Sequence, residues 1–108
     1  MYEKELPLTE SMFFILLALR HPNHGYGVTQ EVEAMTGGRV VLGAGTLYGA
    51  LKTMQKKDWI RLLDTARDPR GKKEYQITET GRNLLEAETA RMKEAVQTAE
   101  RVMHHEEI

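Results

Sequence analysis

A hydroxyl at Thr46, a phenol at Tyr48, ammonium groups at Lys52 and Lys56 and a second hydroxyl at Thr53 stand within one short stretch, GTLYGALKTMQKK, with Gly49 leaving a gap among them. These groups donate hydrogen bonds or carry positive charge, and none is a good base or nucleophile at neutral pH. They suit contact with an anionic surface better than a reaction. A second set follows at Arg67, Arg70, Lys72 and Lys73, around the turn signal Asp68-Pro69-Arg70-Gly71. Such a charge run is ordinarily a solvated loop. Here it comes directly after a basic amphipathic stretch, and that placement points to phosphate contact.

Residues suited to catalysis are scarce. Ser11 is the single serine, cysteine is absent, and no G-x-S-x-G occurs. His21 and His24 flank a proline turn, and the adjacent His104 and His105 point to different faces of a helix, so no metal-ligand spacing exists. Val40-Val41-Leu42 followed by Gly43-Ala44-Gly45 has the outline of a dinucleotide-binding loop. Tyr48 fills the third glycine position, however, and the chain is too short for the repeated βαβ units such a site needs. No enzymatic activity, cofactor or metal is therefore expected.

The candidate contacts must be carried by a helix. Leu47, Leu51 and Met54 recur at helical spacing with Ala50 beside them, which makes one face apolar. The remaining surface shows Tyr48, Gly49, Lys52, Thr53, Lys56 and Lys57, with Thr46 expected as the capping residue. Tyr48 lies at the border of the apolar stripe, so its ring either closes the first turn or meets a partner. Trp59 ends the helix and is expected to plug the junction with a hairpin over 60–78. Ile60–Asp64 alternates imperfectly; Lys73–Ile77 alternates cleanly, with Tyr75 and Ile77 on one face.

Upstream, Thr9 or Ser11 caps a helix running to about His21. Its segment MFFILLAL is apolar nearly all round, and Phe13 and Phe14 either pack in the core or face a partner subunit. Pro22-Asn23 breaks it. A second helix spans Gly25 to about Thr36 with Val28, Val32 and Met35 inward, Tyr26 as a packing tyrosine and Gly37-Gly38 as its stop. Arg39–Leu42 is short and β-branched and is expected to join the hairpin as a third strand. Two helices, a polar-faced third and a basic hairpin read as a winged helix-turn-helix.

Thr78 caps a last helix with Glu79 near its positive end, and nothing stops that helix before about His105. About 28 residues make a rod of roughly 42 Å, more than a small domain covers by itself. Leu85, Met92, Val96, Ala99 and Met103 form an apolar series at 3-4 spacing, interrupted at Glu88. An apolar stripe that projects past the core needs a second chain, and a copy of this one is the natural partner.

Composition agrees with this plan. The 108 residues suit one modest core, with 41% hydrophobic and 29% charged residues. The net charge of −1 hides a division. Residues 52–73 hold eight Lys/Arg against three Asp, or +5, and residues 78–108 hold four Lys/Arg against seven Glu, or −3. The balance excludes a nonspecific DNA coat and leaves room for a local DNA footprint. With no membrane-length apolar run and no apolar signal core in MYEKELPL, a cytoplasmic protein with no membrane partner is expected.

Three blocks carry a family likeness: GTLYGAL followed by KKDWI, then RGKKEYQITETG, with His24-Gly25-Tyr26-Gly27 ahead of them. Together they resemble the PadR-like transcriptional regulators, over nearly the whole chain. Gly49 departs from the proline many relatives have there, and Asp58 from a glycine stop, although Asp tolerates the left-handed backbone such a stop often uses.

The expected fold is mainly α with a small β-wing (α+β): a winged helix-turn-helix over 1–78 and a dimerisation helix over 79–108, as in the short class of that family. The resemblance implies a sequence-specific DNA-binding regulator, a repressor, acting as a homodimer. Thr46, Tyr48, Gly49, Lys52, Thr53 and Lys56 would meet the major groove of double-stranded operator DNA, and Arg70, Lys72 and Lys73 the phosphates or a minor groove. Half-sites would lie about one helical turn apart, roughly 34 Å. With no Arg, Asn or Gln in the first turns of the helix, DNA shape would carry part of the readout. Phe13, Leu85, Met92, Val96, Ala99 and Met103 would form the dimer interface. The resemblance also implies room there for a small hydrophobic effector, which the adaptable Met92 and Met103 would suit. The competing reading is a winged-helix protein-interaction module that binds no DNA; the +5 segment argues against it.

Overall fold

The computed structural model describes residues 3–63 and 71–106. One turn of 3-10 helix (Glu3–Glu5) leads into α1 (Glu10–Ala18), β1 (Asn23–His24), α2 (Gly25–Met35), α3 (Ala44–Lys56), β2 (Ile60–Leu62), β3 (Glu74–Ile77) and α4 (Glu79–Glu106). Four helices and a small antiparallel sheet give the expected α+β winged-helix fold with its long last helix.

Thr9 is the residue that caps α1, its hydroxyl accepting from the Met12 amide at 3.1 Å. Ile15, Leu16, Ala18 and Leu19 are buried, while Phe13 and Phe14 are half-buried and meet edge to face at 5.5 Å. The helix ends three residues before His21. Its Leu19 carbonyl then accepts from the Ile77 amide at 2.8 Å and ties α1 to the wing.

The sheet order is β1-β3-β2, with Asn23 opposite Tyr75 and Ile60 opposite Ile77. The third strand is thus Asn23–His24, and Arg39–Leu42 is not a strand. Both edges of β3 are already taken by β1 and β2, so β3 has no free edge for Arg39–Leu42. Val40 and Leu42 still alternate inward and Val41 outward, anchored as a loop by the Val40 amide on the Thr36 hydroxyl at 3.1 Å.

In α2, Val28 and Val32 reach the core as expected, but Met35, the last residue of the helix, is 44% exposed. Leu47, Ala50, Leu51 and Met54 of α3 face inward against them. Burying each large apolar side chain contributes about 1.5–3 kcal/mol. Helix α3 begins one turn earlier than expected: Gly43 is its N-cap, with no side-chain cap, and Thr46 lies inside the first turn.

The stop of α3 fixes where the wing starts. Asp58 takes φ 62°, its amide bonds to the Gln55 carbonyl and the Trp59 amide to that of Met54, a six-to-one and five-to-two closure. Buried Trp59 and Met54 complete it, so Trp59 seals the helix–wing junction.

Thr78 caps α4, its hydroxyl accepting from the Gly81 amide at 3.0 Å and donating to the Asp58 carbonyl at 2.6 Å. A Cβ at position 81 would lie 2.1 Å from the Trp59 carbonyl oxygen, so this close approach requires glycine. Leu84, Leu85 and Glu88 are then buried, and from Lys93 onward the described residues of α4 are exposed. The projecting helix gives the molecule extents of 64 by 33 by 21 Å.

Candidate nucleic-acid interface

The apolar stripe of α3 consumes one face on the core and leaves the rest in solvent. Thr46, Tyr48, Gly49, Lys52 and Lys56 are exposed and Thr53 is half-buried, so all six share one accessible surface. Lys57 does not belong with them. Its ammonium is held by the Glu5 carboxylate at 3.1 Å and lies 5.6 Å over the Trp59 ring.

Tyr48 points along the surface and not into the core, with 56% of it exposed. Its phenol rests on the first turn of α2, where a Cβ at position 25 would come within 2.9 Å of the hydroxyl; Gly25 therefore makes room for it. The wing strand stands opposite. Tyr48, His24, Gly25, Tyr26, Gly71, Lys72, Lys73 and Tyr75 line one open cleft of about 330 Å³. Lys73 is exposed and Lys72 half-buried. The start of α2, the first turns of α3 and the base of the wing thus meet around three tyrosines with two cations beside them. Arg70 and Arg67 lie outside the described residues.

Burial raises the Tyr75 phenol above its ordinary 10.0, and the Tyr48 phenol adds to this, so the ring stays neutral and keeps its proton to donate. His24 caps α2 by accepting from the Gly27 amide at Nδ1, 3.3 Å away. Nothing here provides a nucleophile with a base beside it. Among the described residues there is no group of three or more His, Cys, Asp or Glu placed to hold a metal ion. No described helix is long and apolar enough to cross a membrane.

Two groups escape a reading of the sequence. Tyr26 is 66% exposed and stands at the cleft, not in the core. Position 26 lies one residue into α2, where side chains fan outward before the helix meets its neighbours; the N-capping His24 was the available signal. Tyr75 faces the core side of its strand yet reaches the cleft wall, which depends on strand pairing and not on alternation alone.

The stripe on α4 is divided. Leu85 is spent on the chain's own core, only 7% exposed, so it offers little surface to a partner. Met92 is half-buried; Val96 and Met103 are 57% and 56% exposed, and Ala99 is exposed between them. The Glu88 interruption is explained: that position faces the chain's own core, with its carboxylate bonded to Arg91 and to the Leu8 amide.

The chain is similar in fold to several solved regulators. It superposes on a PadR family transcription regulator from hypervirulent Clostridium difficile R20291 with a TM-score of 0.73, at 21% identity, covering 88% of this chain and 99% of that one. A PadR family transcriptional regulator from Eggerthella lenta DSM 2243 matches at TM-score 0.67 and 21% identity, over 84% of this chain and 75% of that one. In sequence the chain is 34% identical over 84 residues to an uncharacterized 37.1 kDa protein in transposon TN4556 of Streptomyces fradiae. The match covers 77% of this chain and spans 23% of the length of that relative. Residues 15–87 match the transcriptional regulator PadR-like family, and the chain belongs to it.

Proposed function

We propose that the chain is a sequence-specific, DNA-binding repressor that acts as a homodimer in the cytoplasm. The observation that carries this is the cleft where Tyr48 of α3 stands opposite Lys72 and Lys73 of the wing, with Lys52, Thr53 and Lys56 accessible farther along α3. Membership of the PadR-like family supports it. Residues 1–78 read DNA and 79–108 hold the dimer, with the first turns of α4 shared between the two tasks. Thr46 and Gly49 let the backbone of α3 come close to the duplex; Tyr48 and the wing lysines hold phosphate, as does Arg70 beyond the described residues.

The half-buried Met92 and the exposed Val96, Ala99 and Met103 form the seam between copies, with Phe13 at its edge. The two methionines make this seam the place where a small hydrophobic effector acts, loosening the dimer and releasing the operator.

Electrophoretic shift of a selected duplex at several salt concentrations tests the DNA reading. Lys72→Ala and Lys73→Ala each weaken binding to every duplex alike and flatten the logarithmic salt dependence by about one unit. A slope unchanged in both variants removes the wing from the interface. No salt-dependent shift at all removes DNA as the partner.

A further inference from the structure

Glu88 is the charged side chain that the described residues bury in their core, 1% exposed. Reading DNA does not use it. Both carboxylate oxygens are engaged: the Arg91 guanidinium donates to each, and the Leu8 amide donates to Oε2 at 2.8 Å. An apolar side chain would fill the same space without the desolvation a carboxylate suffers. What a carboxylate adds is a directed bond to the backbone of another segment, here one 80 residues away in sequence.

That segment is the arm ahead of α1. Leu6 and Leu8 pack against the core. At its other end the Glu5 carboxylate receives Lys57 Nζ at 3.1 and 3.3 Å, and Lys57 closes α3 over the Trp59 ring. The arm therefore runs from α4 to the end of α3. Helix α4 is already joined to α3 at its root, where Thr78 and Gly81 sit on the Asp58 and Trp59 carbonyls.

Thr78 and Gly81 fix where α4 begins, and Leu84 and Leu85 pack its first turns on the core. The directed Glu88 bond, ten residues on and about 15 Å along the axis, lies at the far edge of the covered part and bears on where the helix points. The leverage is large, because a pivot of about 10° at the root moves the far end of a roughly 42 Å helix by about 7 Å.

We propose that the arm Glu5–Leu8 is a brace that sets the direction of α4 relative to α3, with Glu88 and Lys57 as its anchors. In a dimer joined through α4 it thereby sets the separation of the two α3 helices, and so the half-site spacing the protein accepts. This consequence rests on the homodimer proposed above. Glu88 and Lys57 are positioning residues that touch no DNA.

The absence of cysteine makes a spin-label test direct. Gln55→Cys, on the exposed side of α3, provides one labelling site per chain. Pulsed dipolar spectroscopy then reads the distance between labels in the dimer without any operator. The expected result is a narrow distribution with the arm intact and a width at least doubled in Glu88→Leu and in Glu5→Arg. Adding Lys57→Glu to Glu5→Arg restores the pair with reversed charges and narrows the distribution again. Glu5 and Lys57 lie at the surface, so these variants fold even where Glu88→Leu does not. Equal widths in the intact protein, Glu5→Arg and any folded Glu88→Leu overturn the brace and leave the dimer standing. A complete lack of dipolar coupling in the intact protein overturns the dimer instead, and the spacing role with it.

Discussion

Helices α3 and α4 are both amphipathic, and each leaves a different face uncovered. In α3 the apolar side is fully spent on Leu47, Leu51 and Met54, and what remains outside is hydroxyl, phenol and ammonium. In α4 the apolar side is spent only through Leu84, Leu85 and half of Met92, and Val96, Val102 and Met103 stay outside with it. A leftover polar face with cations suits a polyanion, whereas a leftover apolar stripe suits another apolar stripe. The contrast teaches that the unpaired remainder of a helix, more than its amphipathicity, says what it binds.

The largest expected effect separates the two ends of α4. Leu84→Ala removes a fully buried side chain and lowers unfolding free energy by about 2–5 kcal/mol in chemical denaturation. Val96→Glu, at 57% exposure, leaves the fold of each chain intact but places a charge in the proposed seam. It raises the dimer dissociation constant by at least about 100-fold, close to 2.7 kcal/mol, in sedimentation equilibrium. A Val96→Glu protein that self-associates like the parent would refute α4 as the seam.

Glu88 sits where the covered and uncovered parts of α4 meet. Glu88→Gln keeps the size but loses the charge-assisted bonds, at about 1–3 kcal/mol near neutral pH. The Arg91 hydrogen bonds hold the Glu88 carboxyl below its ordinary 4.5, against the opposing effect of burial and with help from the Leu8 amide. A lowered folded value means that the stabilisation is fully present above about pH 4.5 and is lost as pH falls through that folded value. Denaturation curves of parent and variant should therefore converge in acid. A gap that persists unchanged at pH 2–3 means that the charge of Glu88 contributes nothing.

On α3, Tyr48→Phe keeps the ring over Gly25 and removes the hydroxyl. Thermal stability stays nearly the same, and operator binding weakens about five- to thirty-fold, as 1–2 kcal/mol implies. If the melting temperature drops and binding does not, the phenol serves the fold and Lys52 and Thr53 become the leading contacts. The smallest effect is at the helix stop. Asp58→Gly relieves a left-handed backbone at φ 62° and stabilises by up to about 1 kcal/mol, seen as a small rise in melting temperature.

Short-range physics made much of the molecule legible. Periodicity places Val28 and Val32 of α2 and the stripe of α3, capping chemistry narrows the start of α1 to Thr9 or Ser11 and points to Thr78, and alternation assigns Tyr75 and Ile77 to one face of β3. These signals act within a few residues, so one sequence suffices to read them. Thr46 has the chemistry of a cap without the position, because Gly43 starts the helix with no side chain to announce it.

What the amino-acid order determined by itself is which residues share a face: Leu47, Leu51 and Met54 against Tyr48, Lys52 and Lys56, and the stripe along α4. Which of those faces are covered was decided only in three dimensions. Asn23–His24 took the edge of β3 ahead of Arg39–Leu42, Tyr26 was left outside, Lys57 was drawn away by Glu5, and Glu88 was buried by a segment from the other end of the chain. Each outcome is a competition between partners far apart in sequence, settled by chain reach and by which polar groups can be satisfied once the core closes. Local pattern holds no information about that competition.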